Sequence, residues 1–188
     1  MIKIKEKISW VLSDDVVLDP TQDIDQLKLV GPIWGSWRTW RACQTDNVIC
    51  HDQVKIAELI QRNFQTHCNF YIPDQAHASL NRPAGVRVYA GEFVHDVIRQ
   101  EEIVAMHLAA TTSDIVVLLG WNLSKLDTTT DRLHDSQYQH YRNLIRQAFV
   151  TYNHTQWVLV DHTGELDPNL TDLDNLVTDT LDHILLLI

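Results

Sequence analysis

The stretch SDIVVLLGW, residues 113–121, decides the fold class of this chain of 188 residues. Its five consecutive apolar residues, Ile115 to Leu119, are followed at once by Gly120. An uninterrupted apolar run of this length, closed by a glycine, is typical of a strand that is buried on both faces of a sheet. Apolar residues with helical spacing lie on both sides of the run, over 100–112 and 136–152. The sequence therefore predicts an α-β-α unit in which helices cover a parallel sheet.

Four more strands are predicted, each a short apolar or alternating run that stops at a turn residue: 3–12, 69–72, 86–89 and 156–160. Asp52 is suited to cap a helix that begins at Gln53. The segment 168–188 has the apolar spacing of a last helix, with Val177 on its buried stripe. The whole chain, 1–188, is therefore predicted to form a single three-layer Rossmann-like α/β domain with a mainly parallel five-stranded sheet.

A segment rich in Trp and Arg, residues 31–51, departs from this plan. It follows the first predicted strand, and its first part, GPIWGSWRTWR, holds three of the six tryptophans. Two short strand-like runs, 39–43 and 47–51, flank a polar turn, so an inserted hairpin is predicted after the first strand. The tryptophans recur every third residue, a spacing that a helical turn would align and a strand would not: Trp34, Trp37 and Trp40.

Charge and composition exclude several classes of partner. The chain has 25 acidic and 15 basic residues, a formal net charge of −10, whereas binding to a nucleic-acid backbone rests on Lys and Arg. The start of the chain, MIKIKEK, is too charged for a signal peptide, and no later segment approaches the ~20 apolar residues of a membrane span. We therefore expect a cytoplasmic protein that binds neither nucleic acid nor membrane. Its three cysteines, an odd number, are expected to stay reduced.

The residues that directly follow the predicted strands are the first candidates for a functional site. In open parallel sheets the ligand crevice lies at the carboxyl ends of the strands, where carboxylates and imidazoles from different strands can converge for acid-base chemistry. Asp14, Gly91 and Asn122 are predicted to bind ligand at these ends. The alternative is that such residues are ordinary turn residues. The predicted catalytic residues are Glu92, His95, Asp161 and His162.

The Trp/Arg segment, as we call residues 31–51, supplies the other predicted ligand contacts. Aromatic faces and two guanidinium groups within eight residues suit a ligand that has a ring to stack and a phosphate or carboxylate to hold. The same residue types are enriched in protein interfaces, so the alternative is a contact in a homo-oligomer or a cover for the sheet edge. The residues predicted to bind a small anionic ligand are Trp34, Ser36, Trp37, Arg38 and Arg41.

Several motifs are absent, which narrows the chemistry. The six glycines do not have the Gly-x-Gly-x-x-Gly or Walker spacing, so no dinucleotide or nucleoside triphosphate is expected in a glycine-rich loop, and no cofactor is predicted. A Gly-x-Ser-x-Gly elbow is missing as well. The cysteines and their neighbouring histidines lack the ligand spacing of a zinc site, so no metal is predicted and buried thiols are favoured: Cys43, Cys50, His51, His67 and Cys68.

With five predicted strands and an acidic residue after a middle strand, the chain resembles the large Rossmann-like group that includes nucleoside deoxyribosyltransferases. The resemblance concerns architecture, because the substrate-binding signatures of that group are absent, and no residue roles are transferred from it. Two functional hypotheses remain. In the first, a nucleotide-like or other anionic ring ligand binds at the strand ends, and an enzyme of this kind would be a hydrolase or transferase at a glycosidic or phosphate bond, since no redox cofactor motif is present. In the second, the chain is a non-catalytic interaction or assembly protein whose Trp/Arg segment docks a partner.

Overall fold

The structure, a computed structural model, describes residues 6–14, 24–90, 100–121, 135–160 and 170–187. Strands and helices alternate along these residues. The strands are β1 (Ile8–Leu12), β2 (Ile33–Ser36), β3 (Asn47–Ile49), β4 (Asn69–Pro73), β5 (Arg87–Tyr89), β6 (Ile115–Leu119), β7 (Gln156–Val160) and β8 (Leu176–Asp179). The helices are α1 (Ile24–Val30), α2 (Trp37–Cys43), α3 (Gln53–Gln61), α4 (Asp74–Ser79), α5 (Gln100–Ala110), α6 (Asp135–Thr151) and α7 (Leu181–Leu187), with a 3-10 turn at Phe64–Thr66.

The described strands form one parallel sheet in the order β5-β4-β3-β2-β1-β6-β7-β8. The chain builds outwards from β1 to the β5 edge, returns, and builds outwards from β6 to the β8 edge. The topological switch point therefore lies between β1 and β6, whose carboxyl ends flank the place where sheets of this type bind ligands. The α/β class with a parallel sheet is confirmed. The predicted number of five strands is wrong: β2 and β8 have four residues each and show no clear periodicity, and β3 lies in the run 47–51 that the sequence places in a hairpin.

β6 is the buried central strand that the sequence predicts. It pairs with β1 from Ile8↔Ile115 to Leu12↔Leu119, and with β7 on its other side. Residues 116–119 are at most 3% exposed. Because both faces of this strand are covered, its sequence is apolar without alternation.

Helices cover both faces of the sheet, so the core has two layers. α5 and α6 pack on one face against alternate strand residues such as Val11, Leu118 and Trp157. On the opposite face, α1 and α7 pack against Trp10, Val117 and Val158. That second face continues over β3 and β4, where α3 packs against the cluster of Val48, Phe70 and Ile72. In the described ranges no helix has both the length and the apolarity needed to cross a bilayer.

The hairpin predicted for residues 31–51 is wrong. β2 and β3 run parallel, and α2 connects them in a β-α-β unit. Ser36 is the N-cap of α2, and its Oγ accepts hydrogen bonds from the backbone N–H groups of Arg38 (3.0 Å) and Thr39 (3.2 Å). The cap satisfies N–H groups that the first turn of a helix leaves without partners, and it thereby starts a helix over residues whose composition suggested a strand.

The last helix is shorter than predicted. The described part of 168–188 contains a turn, the edge strand β8 and the short helix α7. Asn175 holds the start of β8, because its Nδ2 donates to the carbonyl oxygens of Phe149 (3.0 Å) and Tyr152 (3.3 Å), and its own carbonyl accepts from the N–H of Trp157 (2.7 Å). Val177, predicted on a buried stripe, is 44% exposed on this edge strand.

α5 is the helix that returns the chain from the β5 edge to the centre of the sheet. It packs against β1, β2, β3 and β6, and residues 103–106 are at most 2% exposed. Since α5 follows a parallel strand, its first turn lies at the carboxyl edge of the sheet. That turn carries Glu101 and Glu102, both of which are buried. The crossover helix therefore brings two carboxyl groups beneath the surface at the switch point.

Candidate functional site

Three acidic residues lie at the carboxyl edge of the sheet, beside the switch point. Asp14 is the second residue after the end of β1, and Glu101 and Glu102 come from the first turn of α5. Oε1 of Glu102 accepts a hydrogen bond from the backbone N–H of Asp14 at 2.6 Å, which ties the two elements together. These residues, called the carboxylate cluster below, lie where the fold predicts a ligand crevice.

Glu102 is the fully buried member of the carboxylate cluster, and several donors surround its carboxyl group. Its Oε1 accepts from the Ser13 hydroxyl (3.0 Å) as well as from Asp14, and its Oε2 accepts from the Tyr141 hydroxyl of α6 (2.6 Å). These donors suit a carboxylate, whose oxygens only accept, and a carboxylate is tolerated in the interior when it has such partners. Glu102 thereby joins α5 to the end of β1 and to α6.

Glu101 is 6% exposed, with a different set of neighbours. Its Oε1 accepts from the backbone N–H of His51 (3.2 Å) and lies 3.6 Å from Nδ1 of the same residue. Burial raises the pKa of Glu101 to about 7; the His51 N–H opposes the rise, the charge of Asp14 adds to it, and Arg38 reduces it. A carboxyl group with a pKa near 7 can donate or accept a proton at neutral pH, as a general acid or base must.

Two neighbours of Glu101 on the sheet keep their protons. Burial, followed by the charge of Glu101, raises the pKa of the Cys50 thiol and the pKa of the Tyr89 hydroxyl above their ordinary values. Both groups are therefore neutral at pH 7. Cys50 is not a nucleophile in this state, because thiol reactivity depends on the thiolate.

Asp14 connects the carboxylate cluster to α2. Its Oδ1 accepts hydrogen bonds from the hydroxyls of Ser36 and Thr39, the latter at 2.8 Å, and its Oδ2 lies 3.5 Å from Nη1 of Arg38. The Arg38 side chain is 63% exposed, so its guanidinium can pair with an anion from solvent. Three residues predicted to bind ligand, Asp14, Ser36 and Arg38, are thus in mutual contact at this edge.

Trp34 is a core residue. It is 4% exposed, its Nε1 donates to the Ser9 hydroxyl (3.3 Å), and its ring packs on that of Tyr71 with 5.3 Å between centroids. Its position on β2, under α5, leaves no ring face for a ligand. The expectation that Trp34 stacks a ligand is therefore corrected: its ring belongs to the core between the sheet and α5.

Trp37 and Arg41 lie on α2. Trp37 is half-buried, and Nζ of Lys55 is 4.6 Å from the centre of its ring. Arg41 is exposed in the last turn, about one helical turn farther from the carboxyl edge than Arg38. Both remain at the surface on the same helix as Arg38.

The other predicted site residues lie outside the described residues, and their roles stay predictions. In sequence they follow β5, β6 or β7, so their expected position at the carboxyl edge still rests on that adjacency. They are the four predicted catalytic residues and two predicted ligand contacts: Glu92, His95, Asp161, His162, Gly91 and Asn122.

Sequence patterns did not point to the buried part of the site. Glu101, Glu102 and Tyr141 lie on helices, whereas the residues that the sequence favours follow strands. One signal was present: two adjacent glutamates open the otherwise mostly apolar helix EEIVAMHLAA. A helix with so few polar positions must be covered, and acids in its first turn are then drawn into the interior.

In the described part of the chain no group of three or more His, Cys, Asp or Glu side chains could hold a metal ion. The cysteines considered for a zinc site are free thiols in two different apolar clusters. Cys43 packs against the cluster around Trp10, while Cys50 and Cys68 belong to or pack against the cluster around Phe70. Burial raises the pKa of Cys68 to about 12, so that thiol also stays protonated at neutral pH.

A concave surface lies at the opposite, amino edge of the sheet. It is a groove of about 640 Å³ near the starts of β3 and β4, and its mainly polar lining includes Lys28, Asp46, Gln65 and Asn69. Nζ of Lys28 lies 4.0 Å from Oδ1 of Asp46 across it. None of the predicted site residues lines this groove, so it is separate from the carboxylate cluster.

The strand order and the carboxylate cluster define the class of protein: an α/β protein with a parallel sheet and buried acids at its switch point. Comparison with known proteins adds no closer relationship, since no protein-family model matches the chain and no curated protein or solved structure is significantly similar to it.

Proposed function

We propose that the protein is a hydrolase or transferase that binds a nucleotide-like or other anionic ring ligand at the carboxyl ends of the strands. The observation that carries the proposal is the buried carboxyl group of Glu101 beside the switch point, with a pKa raised by burial to about 7. Ionisable groups with shifted pKa values in a crevice are concentrated at functional sites. Both oxygens of Glu102, the next residue, accept hydrogen bonds from hydroxyls. Glu101, with its raised pKa, is the group that would exchange a proton at neutral pH.

Arg38 is the group that would hold the anion of the ligand. Its guanidinium contacts Asp14 on one side and is open to solvent on the other. The rest of the ligand is expected to be a sugar or other polyol, because the carboxyl oxygens of Asp14 and Glu101 can accept hydrogen bonds from hydroxyls. A phosphorylated sugar or a nucleotide combines these two features, a ring with hydroxyls and an anionic group.

Glu101 is the group that would transfer the proton. In its protonated form it gives its proton to the leaving oxygen while a water or an acceptor hydroxyl displaces that oxygen at the glycosidic carbon or at phosphorus, and a second base takes the proton of the attacking group. Glu92, His95, Asp161 and His162 stay the candidates for activating the attacking group. Gly91 and Asn122 stay candidates for ligand contact.

A thermal-shift screen with ribose 5-phosphate and nucleoside monophosphates tests the ligand. A compound at 100 times its Kd should raise the free energy of unfolding by about 2.7 kcal/mol. We expect Arg38→Ala and Arg41→Ala to lose this stabilisation, and Arg62→Ala to keep it, because Arg62 lies at the far end of α3, where it pairs with Glu58 at 3.0 Å. Unchanged binding in both α2 variants would contradict the proposal.

A second candidate function is that of a non-catalytic interaction protein. The observation in its favour is Trp37, half-buried on α2 between two cations: Lys55 Nζ is 4.6 Å and Arg38 Cζ 5.8 Å from the ring centre. Trp and Arg side chains of this kind carry much of the energy in protein interfaces. In that case Trp37→Ala should change the mass measured by light scattering, and no compound in the screen should raise the melting temperature.

A further inference from the structure

We propose that Arg38 couples ligand binding at the carboxyl edge to the proton on Glu101, so that a ligand whose anionic group pairs with Arg38 binds together with a proton. This inference rests on the proposed function, since it requires an anionic ligand at this site. The inference adds that the charge of Arg38 controls the pKa of Glu101, and it gives the direction of that effect.

Two contacts lead from Arg38 to Glu102, the residue next to Glu101 on α5. Nη1 of Arg38 lies 3.5 Å from Oδ2 of Asp14, the N–H of Asp14 donates to Glu102, and Glu101 is the preceding residue on α5. The guanidinium of Arg38 is exposed, and Glu101 is buried. A ligand from solvent can therefore contact the cation directly and act on the buried acid through the change in charge.

The groups that face Glu101 come from each element packed around it. The Cys50 thiol and Tyr89 hydroxyl are neutral near pH 7, because burial raises the pKa of each. The carboxyl group of Glu102 accepts hydrogen bonds from the hydroxyls of Ser13 and Tyr141. A protonated His51 would favour the charged form of Glu101. The groups are Asp14 after β1, Arg38 on α2, Cys50 and His51 after β3, and Tyr89 on β5; Glu102, the next residue on α5, pairs instead with Tyr141 of α6.

The sign of the coupling follows from these charges. Arg38 lowers the pKa of Glu101, while burial and Asp14 raise it. When an anion pairs with the guanidinium, the positive field at Glu101 falls, so its pKa rises and it takes up a proton near pH 7. By reciprocity the anion binds more tightly when Glu101 is protonated. The affinity for the anion is then constant below the pKa of Glu101 in the free protein and falls as pH rises through that value. It levels off above the pKa of Glu101 in the complex.

Two arginine variants test the coupling without a ligand. Arg38→Met removes the charge and keeps an aliphatic side chain, and Arg62→Met does the same at an exposed arginine distant from the cluster. Carbon-13 NMR of glutamate-labelled protein follows the titration of Glu101, whose signal is identified by its loss in Glu101→Gln. We expect Arg38→Met to raise the pKa of Glu101 by ~0.5 unit or more, as for a partly screened charge, and Arg62→Met to leave it unchanged. Equal pKa values in the two variants would overturn the proposal.

Calorimetry with ribose 5-phosphate and with ribose separates the coupling from the proposed function. The phosphate of ribose 5-phosphate has its own pKa of ~6 and exchanges protons too, so the contribution of Glu101 is measured as the difference between the parent and Glu101→Gln. In two buffers of different ionisation enthalpy, we expect the parent to take up a fraction of a proton more than Glu101→Gln on binding ribose 5-phosphate, and ribose to bind without uptake. From pH 6 to pH 8 the Kd of the parent for ribose 5-phosphate should increase ~3-fold relative to the Kd of Glu101→Gln. Equal proton exchange in the two proteins would overturn the coupling and leave the proposed function standing. If neither these compounds nor the nucleotides bind, the proposed function fails and the ligand coupling fails with it.

Discussion

Glu101 and Glu102 are adjacent in the sequence, yet their surroundings differ in kind. Glu102 accepts from two hydroxyls and a backbone N–H, whereas the described hydrogen bond of Glu101 with a backbone donor comes from His51. At the residue scale, therefore, two adjacent carboxyl groups have different surroundings, and burial raises the pKa of Glu101 to about 7.

Replacing Glu101 by Gln should change how stability depends on pH. The pKa of Glu101 is raised by burial from 4.5 to about 7 in the folded chain, so between these values the folded protein binds more protons than the unfolded one. The associated stability is fully present below pH ~4.5 and is lost as pH rises to ~7. We expect the free energy of unfolding of Glu101→Gln to exceed that of the parent by on the order of 3 kcal/mol at pH 8, and by much less at pH 5. Urea unfolding at both pH values measures this; an equal difference at the two would contradict it.

Removing the Tyr141 hydroxyl should destabilise the fold. In Tyr141→Phe the Oε2 of Glu102 loses a donor at 2.6 Å inside the core, and hydrogen bonds to charged groups contribute roughly 1.5–3 kcal/mol. Tyr152→Phe is the matched control, because Tyr152 lies just beyond the same helix and its hydroxyl makes a longer contact, 3.4 Å from Nδ1 of His107. Chemical denaturation should show the larger loss for Tyr141→Phe, and equal losses would mean that the Glu102 contact contributes little.

At the scale of elements, burial on both faces makes β6 the least tolerant part of the sheet. We expect Val117→Asp to abolish folding, because Val117 is 1% exposed between Trp10 of β1 and Val158 of β7, and an unpaired buried carboxylate costs several kcal/mol of a total of ~5–15 kcal/mol. Val177→Asp, on the exposed edge strand β8, should still fold. Circular dichroism and soluble yield compare the two; a cooperatively folding Val117→Asp protein would show that β6 is not core.

The elements that a local sequence pattern marks clearly are present where the sequence predicts them. The elements that depend on distant strands for their hydrogen bonds were predicted incompletely or wrongly. β6 is an apolar run, and Asp52 caps α3 through its Oδ1, which accepts from the N–H of Lys55 at 3.0 Å. β2 and β8 are too short to show a period, and the run that forms β3 does not reveal its partners; these strands exist because neighbouring strands supply their hydrogen bonds. The same limit led to the wrong hairpin in the Trp/Arg segment.

At the scale of the whole molecule, the net charge of −10 implies repulsion within the folded chain at neutral pH and above. Raising NaCl from ~10 to ~150 mM shortens the Debye length from ~30 to ~8 Å. We expect the melting temperature at pH 8 to rise by roughly 2 °C or more, since about 1 kcal/mol corresponds to 2–4 °C at this chain length. Near the pI of about 5.3 the same salt change should have little effect. A rise of equal size at both pH values would point to a general salt effect instead of charge screening.

The sequence by itself determined the α/β class, the buried central strand and the position of the Trp/Arg segment after the first strand. Each of these follows from residues that are neighbours in the chain. Only the tertiary structure decided the number and order of the strands and the composition of the carboxylate cluster. Asp14 and Glu102 are 88 positions apart and meet because α5 crosses back over the sheet. The pKa of Glu101 near 7 likewise arises from burial under that crossover, and burial is a property of packed elements that no local pattern contains.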